Sequence, residues 1–79
     1  MPTTSLPFGK ISSPDELASA VRARRKALGL TQADLAGLAH TGNRFIVDLE
    51  RGKPTLRIEK VLVVLALLGL ELYVVERGA

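Results

Sequence analysis

Apolar residues in this chain recur at helical spacing in four blocks and then change period near the C-terminal end. The first block is Leu17, Ala20, Val21, Ala27 and Leu28, an i/i+3/i+4 stripe interrupted only by Arg24. Its start is marked by Ser13 and Glu16, spaced for a capping box, with Pro14 at the first helical position, where a missing N–H costs nothing. Gly29 stops it. A second helix is predicted from Thr31, with Asp34 at N3 and Leu35, Ala36, Leu38 and Ala39 on its buried side. His40-Thr41-Gly42 breaks that helix. A third runs from about Asn43 to Arg51, with Phe45, Ile46 and Leu49 on one face, and ends at Gly52-Lys53-Pro54. Thr55 is read as the cap of a fourth, carrying Leu56, Ile58, Leu62, Leu65, Ala66 and Leu68 and closed by Gly69.

The following segment, Leu70-Glu71-Leu72-Tyr73-Val74-Val75, is β-branched and aromatic and fits a strand better than an extension of the fourth helix. A lone strand leaves its backbone groups unpaired. Pairing with the same strand of a second copy is the simplest remedy, an isologous contact through Leu70, Leu72, Tyr73, Val74 and Val75. The expected organisation is a flexible arm over residues 1–12, holding Pro2, Pro7 and Gly9, then a helical domain over 13–69 and a dimerisation strand and tail over 70–79. There are no internal repeats.

Composition sharpens the need for a partner. A chain of 79 residues is at most one domain. A domain of this size buries only about 60% of its unfolded surface, so it usually depends on disulfides, a metal or oligomerisation. With no cysteine and a single histidine, His40, the first two are excluded and a homodimer is expected. Eleven Lys and Arg against eight Asp and Glu give a net charge of +3, which permits nucleic-acid binding without proving it. The first ten residues lack an apolar signal core, and the longest uncharged run, Val61 to Leu70, is too short to span a bilayer. A soluble, cytoplasmic protein with no membrane partner is therefore expected.

The second and third helices, joined by a three-residue turn, have the frame of a helix-turn-helix. Ala36 is small where two helices must cross closely, and Leu35, Ala39, Ile46 and Leu49 are apolar where the pair packs on its neighbours. In such a unit the second helix of the pair lies in the major groove and its N-terminal side chains meet base edges. The words Thr31-Gln32-Ala33-Asp34-Leu35-Ala36 and Ile46-Val47-Asp48-Leu49-Glu50-Arg51-Gly52-Lys53 resemble the Xre, or lambda-repressor-like, family over about Leu17 to Leu70. The resemblance implies a mainly α bundle of four to five helices, here with the C-terminal β-strand pairing across a homodimer. One position departs from the family pattern: His40 stands where the turn usually has glycine, and histidine is among the few residues enriched at positive φ.

More narrowly, Lys10 to Ala18, Asn43 to Lys53 and the Leu70 to Val75 segment look like the corresponding parts of HipB-like antitoxins. That resemblance implies repression of the chain's own operon and neutralisation of a HipA-like kinase toxin. Otherwise the chain is a stand-alone Xre-type regulator, or an interaction module that does not bind DNA.

Residue types then suggest roles on a palindromic double-stranded operator. Asn43 suits adenine in a two-bond geometry, or caps the third helix. Arg44 suits guanine or a phosphate, and Val47 a thymine methyl. Asp48 either accepts from cytosine or holds Arg44 at i+4, the second being favoured beside phosphates. Gln32, Thr31, Arg51, Lys53 and Arg57 are the phosphate candidates, with Thr31 better suited to capping and the basic residues alternatively a solvated face. Glu50 reads as structural, capping or pairing with Arg22 or Arg25, and Phe45 as partly buried. No Ser has the His or Lys arrangement of a nucleophile and no glycine loop cradles phosphate, so no enzyme activity, cofactor or metal is expected.

Overall fold

The computed structural model describes residues 8–78. Residues 1–7 of the expected arm, and Ala79, lie outside them. Four helices follow one another: α1 (Pro14–Ala27), α2 (Gln32–Ala39), α3 (Asn43–Glu50) and α4 (Ile58–Leu67). The fold is all-α, as the mainly α reading expects, with four helices and no fifth among the described residues.

The caps explain why the chain breaks where it does. Ser13 Oγ accepts the N–H of Glu16 at 3.2 Å, and Pro14 opens α1. The reciprocal bond falls one residue further back than the capping-box spacing suggests, from the Ser12 N–H to the Glu16 carboxylate. At α2 the box is complete: Thr31 Oγ1 accepts from the Asp34 N–H and Asp34 Oδ2 accepts from the Thr31 N–H, both at 3.0 Å. Those bonds hold the Asp34 carboxyl below its ordinary pKa, chiefly through the Thr31 backbone N–H and then through its hydroxyl.

All four helices end in the same device, a left-handed residue followed by a paired return of N–H groups onto the last turn. In α4 the Leu70 N–H reaches the Leu65 carbonyl at 2.8 Å and the Gly69 N–H reaches Ala66 at 3.0 Å. This ends the helix and disposes of the reading in which residues 70–75 extend it. In α2 the left-handed position is His40, at φ +56. After α3 it is Gly52, at φ +81.

Gly52 is constrained a second time. A Cβ there would overlap Asp15 Oδ1 and lie 3.3 Å from the Asp15 Cα, in the first turn of α1. Gly52→Ala therefore meets both the left-handed penalty of about 1–2 kcal/mol and a backbone neighbour that must shift. We expect about 2 kcal/mol or more of lost stability by urea unfolding. An unchanged urea midpoint would contradict this account of the turn.

One expectation is corrected, and one concerns a pairing that a single chain does not contain. The fourth helix starts at Ile58 with Arg57 as N-cap, not at a Thr55 cap. Residues 53–57 stay non-helical, and Leu56 is half-buried against the core from this non-helical stretch. The C-terminal strand is also not formed: residues 70–76 carry no regular element in the single chain, which offers the segment no strand to pair with.

The core gathers Val21 from α1, Leu35, Ala36 and Ala39 from α2, Ile46 and Leu49 from α3, and Val61, Val64, Leu65 and Leu68 from α4 and its cap. Leu17, Leu30, Phe45, Leu56 and Leu70 pack around it. Helical period picks out Val21, Leu35, Ala36, Ala39, Ile46, Leu49, Leu65 and Leu68 correctly, but Leu28, Leu38, Ile58 and Leu62 are exposed, and Val61 and Val64 take the inward positions of α4 instead. Through this core α2 packs on α3 and α4, and α3 packs on α1, which fixes α2 and α3 against each other.

Candidate nucleic-acid interface

A buried polar network fixes the relative placement of α1, α2 and α3. Arg25 and Glu50, with side chains 10% and 3% exposed, meet fork to fork. Arg25 Nε donates to Glu50 Oε2 at 2.6 Å and Nη2 to Oε1 at 2.9 Å. The remaining Arg25 arm donates to the Leu30 carbonyl at 2.8 Å. Arg22 Nη1 reaches the Glu50 carbonyl at 2.7 Å, and Gln32 Nε2 donates to Glu50 Oε1 at 3.2 Å. The guanidinium of Arg25 is held protonated more firmly than usual, because its bonds to Glu50 outweigh the cost of burial. Glu50 is structural, as its position suggests, and it engages both candidate arginines: Arg25 by side chain and Arg22 by carbonyl.

Gln32, the first residue of α2, is therefore anchored. One amide proton is spent on Glu50, leaving the second and the carbonyl oxygen for an outside partner. This contact joins residues 18 apart, and residue spacing alone gave no sign of it. Thr31 uses its oxygen as the α2 cap, as expected of it.

At α3 the N-cap is Gly42, without a side-chain bond, so Asn43 is the first helical residue and its amide is exposed. That removes the capping reading of Asn43. Arg44 is 76% exposed and its Nε lies 3.1 Å from Asp48 Oδ1. Lys53 Nζ lies 3.6 Å from Asp48 Oδ2, and the Asp48 side chain is only 14% exposed. Asp48 thus sits between two cations, and the pairing reading describes it better than a base contact. Val47 is half-buried on the same side of the helix.

Arg51, the α3 C-cap, is exposed. Arg57 pairs with Glu59 at 2.5 Å, both side chains in solvent, an interaction worth little. Lys60, which the sequence did not single out, lies 5.9 Å above the ring of Phe45. Phe45 is half-buried against the core, as expected, and so tethers a cation from α4 beside α3. α3, the turn after it and the start of α4 therefore carry Arg44, Arg51, Lys53, Arg57 and the half-buried Lys60 against Asp48 and Glu59. Among the described residues no group of three His, Cys, Asp or Glu could hold a metal, and no helix is long and apolar enough to cross a membrane.

Known proteins carry the same architecture. The Helix-turn-helix family matches residues 21–75. An HTH-type transcriptional regulator of Sinorhizobium fredii, y4mF, is 48% identical over 69 residues, covering 87% of this chain and 91% of that protein. Among solved structures, a HipB–O4 20mer complex superposes with a TM-score of 0.80 at 27% identity, over 90% of this chain and all of the other. A HipA–HipB–O2–O3 complex gives the same values. With the capped α2, its left-handed turn and the exposed basic face of α3 already in place, these matches show that the chain belongs to the Xre-like helix-turn-helix family and is a non-enzymatic transcriptional regulator of that type.

Proposed function

We propose that the chain is an operator-binding repressor and the antitoxin of a HipA-like kinase, acting in the cytoplasm on its own operon. The observation that carries this reading is the superposition on HipB in DNA-bound complexes over the whole of HipB's chain. Two subunits would set two copies of α3 in successive major grooves about 34 Å apart. Asn43, Arg44 and Val47 meet base edges, with Asp48 orienting Arg44. Arg51, Lys53, Arg57 and the free amide proton of Gln32 meet phosphates.

The homodimer has its own support. The outer side of α4 exposes Leu62, Val63 and Leu67, and beyond it Tyr73 and Val74 are exposed too. A helix apolar on nearly every side is normally covered, and exposed apolar side chains gathered on one helix face suit an interaction surface. In this reading, residues 70–75 of two subunits form the strand pair that the single chain cannot.

A second reading, a stand-alone Xre-type regulator, is favoured by the y4mF relative, whose description names a transcriptional regulator and no toxin. Binding to the palindrome upstream of the chain's own gene tests the shared part. Affinity should fall steeply with salt, and Lys53→Ala should weaken operator and random duplex alike and flatten the log–log salt slope by about one unit. Co-expression and co-purification with a HipA-like kinase then separate the two readings. Specific DNA binding without any kinase complex would leave the stand-alone regulator. No salt-dependent DNA binding at all would leave a protein-interaction module.

A further inference from the structure

Arg24 is the charged residue that breaks the apolar stripe of α1, and it takes no part in the network around Glu50. Its Nε donates instead to the Leu68 carbonyl at 2.7 Å, across 44 residues of sequence. Leu68 is the C-cap of α4, and its carbonyl is one of those that a helix end leaves without an internal partner. A guanidinium there satisfies the carbonyl and offsets the negative end of the helix dipole.

The contact reaches one residue further. Arg24 Nη2 stands 3.4 Å from where a Cβ of Gly69 would be, so the guanidinium occupies the space beside Gly69 that a side chain there would enter. Gly69, at φ +74, is the left-handed hinge through which the chain leaves α4. One planar side chain therefore binds the residue before the hinge and flanks the hinge itself. Leu70 returns to the core, and the segment then runs outward past Phe8, Leu17 and Ala20 of its own chain. By Val74 it is 97% exposed, apolar and unpaired.

We propose that Arg24 is a positioning residue for association: it fixes the exit direction at Gly69 so that residues 70–75 are presented, already aligned, to the same segment of a second copy. The proposal rests on the homodimer reading above. Its physical content is preorganisation, since a segment that swivels freely about a glycine loses that freedom on pairing, whereas a clamped one has lost it already. Lysine would return a charge but not the planar fork that bears on both Leu68 and Gly69.

The test is sedimentation equilibrium on the full-length chain, with far-UV circular dichroism showing that each variant is folded. Arg24→Ala should raise the dimer dissociation constant about tenfold or more, and Arg24→Lys should recover part of it. A mere stabiliser of α4 would affect unfolding without depending on the segment, so the decisive measurement is a cycle. Proline at Tyr73 or at Val74 removes a ladder donor from an exposed position without touching the core. In whichever of those two backgrounds weakens association more, adding Arg24→Ala should have little further effect. Additive effects, or a wild-type dimer unmoved by Arg24→Ala, would overturn the role of Arg24 alone. A wild-type chain that stays monomeric throughout would overturn the dimer reading and this inference with it.

Discussion

Replacing Glu50 with alanine should cost about 3–5 kcal/mol, because it strands the buried Arg25 guanidinium without its counter-charge. A chain of this size has only about 4–12 kcal/mol in total at the usual stability per residue, so the loss is a large fraction of the whole and should move the urea midpoint far down. The loss is larger than a surface ion pair would give, for three reasons on the structure. Both side chains are out of water, the pair is two-bonded, and the same carboxylate accepts from Gln32. Glu50→Gln, which keeps the shape and one acceptor oxygen, should lose less. The double change Arg25→Met with Glu50→Leu should recover much of the stability, since no charge is then left buried. Urea unfolding followed by circular dichroism measures all three. A Glu50→Ala chain within about 1 kcal/mol of wild type would show that the pair contributes far less than its burial implies.

The network also decides how much of the molecule was legible in its sequence. Local signals were read well: Ser13 and Thr31 cap helices, and the helical period selects Val21, Leu35, Ile46, Leu49 and Leu65 for the core. His40 adopts the left-handed conformation that its place in the turn requires. These features depend on residues within a turn or two of each other. Contacts across the fold were harder. Glu50 was expected to meet an arginine, but its bond to Gln32 depends on how α2 crosses α3, which spacing does not give. The start of α4 was misplaced because Thr55 has the chemistry of a cap, while Arg57 takes that place and Leu56 packs on the core from outside the helix. The Leu70 to Val75 segment has a strand's composition, but ladder hydrogen bonds need a partner strand, and a single chain supplies none. On the interface, Arg44 and Asp48 were paired by their i+4 spacing, whereas Lys53 joins Asp48 only through the turn after α3, and Lys60 reaches Phe45 only because α4 packs alongside.

The largest effect on the proposed DNA binding should come from Arg44→Ala. A two-bond arginine–guanine contact discriminates by about 1–3 kcal/mol, and a symmetric dimer would lose it at both half-sites, so independent losses add to about 2–6 kcal/mol on the specific operator. On a random duplex the same change should cost no more than one phosphate contact per subunit. The signature is therefore a collapse of the ratio between operator and random affinity, read by fluorescence anisotropy at one fixed salt concentration. Asp48 provides the matching control. Its carboxylate holds both Arg44 and Lys53, yet it also places a negative charge close to where phosphates would pass. Asp48→Asn should thus strengthen binding to random duplex while weakening discrimination, because the cations gain field strength and Arg44 loses its fixed direction. An Arg44→Ala chain that kept its operator preference would remove this residue from base recognition. An Asp48→Asn chain that lost affinity for the operator with no gain on random duplex would indicate that the aspartate itself touches a base, the alternative that its two ion pairs argue against.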